Sequence, residues 1–427
     1  MPRVATWIVL VVLTLVIVVG LLFARGDASA QDALARHHGK WGSDRAGLAS
    51  LRRGRPAVES PPLDGNAWDD LDGVITELRP NRRADVAPVE PGEGAARLPR
   101  GGPIRARLVA LRRRAATPSP VAEPLPALPG QVADVGLLLD DAARDDLETG
   151  HADDALDLLA SMVVLAADLE RHHGYLPMLH ARHLDRVAER RLEAAATRGG
   201  SAEAWQRLGS VLDALAPLRP TTAAVLHVHD VAMRGSLFER AEHATVPTKW
   251  REVWGRWPWQ WSPRRRAVRA LERREALASR LRAIVATPMP GWRGAVAALD
   301  PSVAPAGPPR PDAWDDLRVD ITIVTSEPVE ATLRTLRRVL VALAAYRATR
   351  GRLPDSLDAL VPGYLLASPR CALTGAPLRY DAPTGRVWSV GTDGDDDGGA
   401  SVPVAHGWPE LDGDGDLVVT VAPSPAR

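Results

Sequence analysis

The sequence predicts an α+β chain that is mainly helical, and three observations carry this. Apolar residues recur with a helical period between residues 131 and 245 and again from 327 to 350. Short β-branched or aromatic runs appear after Pro369. Near the amino terminus, Ala5 to Ala24 holds twenty residues without a charge. The 427 residues are 45% hydrophobic and 25% charged, enough to bury a core. Lys+Arg and Asp+Glu both number 53, so the formal net charge is zero, which argues against a protein built to coat nucleic acid. The single cysteine, Cys371, excludes an intramolecular disulfide and a zinc site made of several thiolates.

Five divisions follow along the chain: an anchor at 1–25, a Pro/Gly/Arg-rich linker at 26–130, a helical domain at 131–286, a second linker at 287–326 and a C-terminal module at 327–427. The stretch ATWIVLVVLTLVIVVGLLFA at 5–24 matches a hydrocarbon layer of about 30 Å when helical, so it is read as a transmembrane helix. Ala28-Ser29-Ala30 has the form of a leader-peptidase site, but the apolar core exceeds the roughly 7 to 15 residues of a cleaved leader. A retained anchor is therefore expected. Arg3 precedes the span, and Arg25, Arg36 and Lys40 follow it, so the charge count does not fix orientation.

The first linker is read from PPLDG at 61–65, PVEPGEG at 88–94 and TPSPVAEPLPALPG at 117–130, a composition that favours extended chain. One short helix is expected within it at Ala67 to Leu78. Its opening, AWDDL, recurs at 313–317, although two copies make no solenoid. In the middle domain, Val132, Val135, Leu138 and Leu139 begin one apolar stripe. Leu156, Leu159, Val163 and Ala166 form a second, and Leu208, Val211, Leu212 and Leu215 a third. Stacked antiparallel helical hairpins are expected from these stripes and their short connections.

Residues 249–261 carry five tryptophans, and an Arg-rich stretch follows at 263–282. From Lys249 to Arg282 there are eleven basic and three acidic residues. Three partners fit such a run: the acidic segment 131–160 of the same chain, a membrane surface, and single-stranded nucleic acid. Packing within the chain is preferred, because 131–160 holds nine acids and one Arg, and no nucleic-acid partner is expected.

In the C-terminal module, Val329, Leu333, Leu336, Leu340 and Leu343 form a narrow apolar seam on a helix from 327 to 350, with Arg on its other faces. Gly351 ends it. Leu378 to Asp381, Val387 to Val390 and Leu417 to Val421 read as three antiparallel strands, the first two joined by a turn at 382–385.

The run from Leu340 to Gly399 resembles the C-terminal half of the major pseudopilin of type II secretion. Tyr346 with Gly351 and Pro354, then Pro369 to Pro377, then Trp388 and Ser389 to Gly394 stand in that family's order. The match covers about 90 residues, a fifth of the chain. The whole arrangement is also similar to a group of membrane-anchored bacterial envelope proteins. The resemblance implies a helix packed on a small sheet, a location outside the cytoplasm, and a calcium ion held between the loop after the S-x-G strand and an aspartate entering the last strand. The matching positions are Asp393 and Asp416. The chain departs from the family at its amino terminus. The apolar span contains no glutamate, and some 300 residues separate it from the module. Fold and ion binding are carried over; fibre assembly is not expected.

The residues themselves also point to a cation. Asp393, Asp395 and Asp397 followed by Gly398 fit D-x-D-x-D-G, the opening half of a calcium loop, while position twelve is Val404 where an EF-hand needs Glu. A second run, Asp412, Asp414 and Asp416, precedes the final strand. From Val387 to Val421 there are eight acids and no Lys or Arg. A structural calcium on Asp393, Asp395, Asp397 and Asp416 is expected.

Catalysis is not expected. His172, His173, His180 and His183 cluster without an H-E-x-x-H, His227 and His229 are two apart, Ser389 sits in no nucleophile elbow, and Cys371 has no nearby His in sequence. The sequence thus reads as a non-enzymatic, single-pass protein of the inner membrane, with its bulk outside the cytoplasm and an envelope protein as partner. Membership of a type II secretion or pilus-like machine, and an envelope hydrolase using the middle-domain histidines, are the alternatives.

Overall fold

The computed structural model describes residues 2–48, 54–78, 98–116, 128–171, 175–243, 263–299, 318–405, 408–409 and 413–421. The tryptophan-rich run, His172 and His173, the second AWDDL and Asp412 lie outside them. Helices dominate, with three small sheets, as the periodicities require. The chain forms two compact units: 1–51, 226–287 and 294–323 make the first, and 52–225, 288–293 and 324–427 the second.

In the first unit, α1 (Pro2–Gly47) runs without a break through the apolar stretch and beyond it. Among the described residues no helix is long and apolar enough to cross a membrane, and most side chains of 5–24 lie outside them. Of those described, Leu13, Ile17, Val18 and Leu21 are all exposed. The later part of α1 is held by α8 (Thr222–His243) and α9 (Pro263–Val285). Leu237, Phe238, Ala270 and Leu271 form an apolar cluster against Leu34 and Trp41. The Trp41 indole N–H donates to the Val231 carbonyl at 2.8 Å, and its ring lies 5.6 Å from that of Phe238. Under this cluster, Arg274 is almost fully buried and reaches both oxygens of Asp320 at 2.8 Å and Asp230 at 3.1 Å. Residues 27–47 continue the helix, with Leu34 and Trp41 packed, and 226–285 group with them instead of with the rest of the expected helical domain.

The second unit is built around α5 (Ala152–Glu170), in which fifteen residues are buried, so that it is apolar on every side. Such a helix belongs in a centre rather than on a surface. It packs against α4 (Leu128–Glu148), α6 (Tyr175–Arg198) and α7 (Ala202–Leu215). A Cβ added at Gly136 of α4 would lie 2.2 Å from the buried Leu184 of α6, so the close approach of these helices requires glycine there. Ser201 caps α7, its hydroxyl accepting from the Ala204 N–H at 3.1 Å. The three stripes read from the sequence are the buried faces of α4, α5 and α7, with Leu138 packed at their edge.

Within the expected linker at 26–130, folded elements stand on both sides of its midpoint. β1 (Leu63–Asn66) pairs with β2 (Arg114–Ala115), α2 (Ala67–Leu78) stands where a helix was expected, and α3 (Pro103–Ala110) packs on α5. Leu71, Val74, Leu108 and Leu111 are buried in the same core as α5. Arg55, 1% exposed, grips Asp168 with two hydrogen bonds of 2.7 and 2.8 Å. A composition rich in Pro and Gly describes an average, and it misses a few apolar and paired charged residues that reach a distant partner.

The expected boundary between middle domain and C-terminal module is also absent from the core. A short helix, α10 (Trp292–Ala297), precedes α11 (Arg318–Arg350), which contains the whole expected seam, and Val329, Leu333, Leu336, Leu340 and Leu343 are buried. They share one apolar cluster with α5 and with the sheet of β3 (Arg379–Asp381), β4 (Arg386–Ser389) and β7 (Leu417–Thr420). That sheet is antiparallel in the order β3-β4-β7, with Val387 opposite Val419. A hairpin of β5 (Val404–Ala405) and β6 (Trp408–Pro409) lies between β4 and β7 in the chain.

Candidate metal centre

At one end of the β3-β4-β7 sheet, the loop after β4 meets the turn that enters β7. Two glycines let the backbones touch. A Cβ on Gly391 would sit 1.8 Å from the Gly415 carbonyl oxygen, and Gly415 holds φ +121 with Val402 and Ala400 backbone atoms about 3 Å from where a Cβ would stand. The loop and turn are then laced together: the Asp416 N–H donates to Ala400 at 2.7 Å, and the Val402 N–H donates to Asp416 at 2.9 Å. The alternation of Asp and Gly thus serves geometry as well as charge.

The result brings Asp393, Asp395, Asp397 and Asp414 together, with one carboxylate oxygen of each within 4.8 Å of the others. Asp393, Asp395 and Asp414 are exposed, and Asp397 is half-buried. Asp416 is placed outside this group: it is fully buried, and its Oδ2 accepts from the Gly399 N–H at 2.7 Å. Three of the four expected ligands therefore converge. The fourth position is taken by Asp414, a member of the second acidic run that was not among the expected ligands.

Neighbouring side chains explain the electrostatics. Burial pushes the Asp397 carboxyl up, and the charges of Asp395, Asp414, Asp393 and Asp396 push it further. Burial also pushes Asp393 upward, but the N–H groups of Gly415 and Asp395 outweigh it and hold this carboxyl below its usual range. Asp396 is drawn down chiefly by the Trp388 indole, which donates to it at 2.9 Å, and it also meets Arg379 at 3.0 Å. Asp396 is thus occupied elsewhere, and the four converging carboxylates form no ion pair with Arg or Lys among the described residues.

The donor set suits a hard divalent cation. It is all oxygen, on alternating residues of two adjoining loops. Asp397 Oδ2, Asp416 Oδ1 and Thr392 Oγ1 are buried polar atoms with no hydrogen-bond partner, lone pairs that a cation or its bound water would satisfy. Oxygen donors alone fit both Ca²⁺ and Mg²⁺.

The described histidines form no such centre. His183 is held below its usual range by burial, with Arg190 and His180 adding to it. His229 is pushed down to about 4 by burial and Arg274, so it is neutral in its helix bundle. Cys371 is buried with its thiol 3.8 Å from the Thr332 hydroxyl.

Sequence reasoning missed a large feature on α6 and α11. Arg182, Arg186, Arg219, Arg334 and Arg337 interleave with Glu170, Asp185, Glu189, Glu327 and Glu330, nearly all shielded from water. Burial alone would push Asp185 up, but Arg219 at 2.9 Å and Arg337 at 2.6 Å overcome it and hold the carboxyl well below the usual range. The signal in sequence was an excess of Arg on a helix otherwise apolar. Its partners, 144 to 152 residues away, carry no local mark.

No family model, curated protein or solved structure matches the chain.

Proposed function

We propose that this chain is a single-pass, membrane-anchored envelope protein without catalytic chemistry, whose terminal sheet is locked by calcium and whose helical body holds an envelope partner. The observation that carries the reading is the convergence of Asp393, Asp395, Asp397 and Asp414 within 4.8 Å. Carboxylates so close repel one another unless a cation sits among them. The rim belongs to the apolar core through Val387, Val402, Leu417 and Val419, so an ion tying loop to turn would stiffen the sheet beneath. That is a structural role.

Support for an anchor is the uncharged stretch 5–24, which lies in one continuous helix. Support for a position outside the cytoplasm is the ordered resemblance of Tyr346 to Gly394 to the type II secretion pseudopilin. The same resemblance favours, as second reading, a component of such a machine. The two readings differ in the fate of the amino terminus, since a machine subunit would be processed there and recovered in fibres.

Calorimetric titration of the full chain in detergent tests the metal directly. Calcium is expected to bind with one site per chain and to raise the melting temperature, and chelator to reverse it. No heat of binding and no shift would remove calcium from the reading.

A further inference from the structure

We infer that the groove between α7 and α11 is the docking surface for a second copy of this chain, each copy placing its Leu366 in the groove of the other. Neither the anchor nor the metal is needed for this pairing. The groove lies wholly within the second unit and has a volume of about 360 Å³. It exists because the two helices turn small residues toward it: Gly209 on α7, and Ala342 and Ala345 on α11. The segment 362–366 forms the opposite wall, and Leu366 stands on its rim. That leucine is 84% exposed, more than any other large apolar side chain among the described residues.

Charge selects the occupant. The one base and the one acid that line the groove, Arg338 and Asp213, are joined by two hydrogen bonds of 2.7 Å, and Arg338 also donates to the Tyr364 carbonyl at 2.6 Å. The groove is therefore neutral, over a floor of Val341, Ala342 and Ala345. An ion or a strongly charged peptide would enter without a counter-charge, whereas an uncharged branched side chain leaves no polar group stranded. The same patch offers such a side chain. A lone exposed leucine is ordinary on a protein surface, but a leucine beside a neutral hollow makes the patch self-complementary. One two-fold docking then fills both grooves, because each contact across a two-fold axis occurs twice. The chain's formal net charge of zero sets no overall repulsion between copies. Each leucine withdrawn from water is worth roughly thirtyfold in affinity, so the two together contribute about a thousandfold.

Sedimentation equilibrium of the full chain in density-matched detergent tests the pairing. A dimer dissociating in the micromolar range is expected for the native chain. Leu366→Ala is expected to raise its Kd about a thousandfold and to leave the melting temperature in place, since so exposed a side chain supports little of its own fold. Ser210→Phe, at an exposed position on the α7 wall, fills the hollow from within and is expected to weaken the dimer as much. A mixture of the two variants brings together one Leu366 and one open groove, so pairs of intermediate Kd are expected. Monomers alone for the native chain, up to its solubility limit, overturn the pairing. So does a dimer indifferent to either substitution, which would assign association to another surface such as the apolar stretch 5–24.

Discussion

Two groups of carboxylates in the second unit make an instructive contrast. On α6 and α11, Asp185, Glu189, Glu327 and Glu330 are drawn out of water, each facing an arginine at 2.6 to 2.9 Å. At the sheet end, Asp393, Asp395 and Asp414 are exposed, Asp397 is half-buried, and the four face one another. The first group is complete within the chain, since five acids and five arginines neutralise each other. The second is left with like charge alone. The same side chain is thus a structural strut where its counterion is covalently part of the protein, and a ligand for something from outside where it is not.

The largest expected effect breaks the internal group. Asp185→Ala leaves Arg337 and Arg219 buried with one acceptor fewer, and the cost is expected to be about 3–5 kcal/mol, measured by urea denaturation. An effect below about 1 kcal/mol would show that water reaches the network and that the contrast is weaker than drawn.

Next comes the rim. Calcium at a hundred times its dissociation constant is expected to stabilise the chain by about 2.7 kcal/mol, and chelator to remove all of it. Asp414→Asn is expected to abolish that response and, by removing one like charge, to leave metal-free melting unchanged or slightly raised. Asp416→Ala, which removes the buried acceptor for the Gly399 N–H, is expected to lower melting with and without metal. The reverse pattern would restore Asp416 as the ligand and displace Asp414.

A smaller effect sits between the two groups. Glu193 of α6 accepts from the Thr420 N–H on β7 at 3.0 Å, and burial, with the nearby Glu189 charge, pushes its carboxyl up to about 7. The unfolded carboxyl, near 4.5, releases its proton first. The stability tied to that proton is present below pH 4.5 and is lost as pH climbs through 7. Roughly 1–2 kcal/mol is expected, allowing for partial exposure, and Glu193→Gln is expected to flatten that part of the pH profile.

Much of the fold was legible along the chain. The stripes at 132–139, 156–166 and 208–215 and the seam at 329–343 are helices with those faces inward, and the three strands lie where β-branched runs place them. Three of the four converging aspartates were legible too, since D-x-D-x-D-G puts alternate carboxylates on one side of a turn. Arg55, Leu71 and Leu108 were not: they look like linker, because nothing local reveals that Asp168 and the flank of α5 wait for them. Asp414 and Asp416 stand two residues apart in one D-x-D run, and the contact of Asp416 with Gly399, which separates their roles, comes from a loop 17 residues away.

What the sequence by itself determined is therefore periodic and local: helix faces, strand alternation, the uncharged stretch and the bunching of acids. Each follows from backbone geometry within a few residues. The tertiary structure alone decided which charges meet, that Arg337 of α11 is as buried as the helix's apolar seam, and that α9 begins beside the end of the apolar stretch. Ion pairing acts through space over a few ångströms and is blind to chain distance, so partners 144 to 237 residues apart leave no trace until the chain folds.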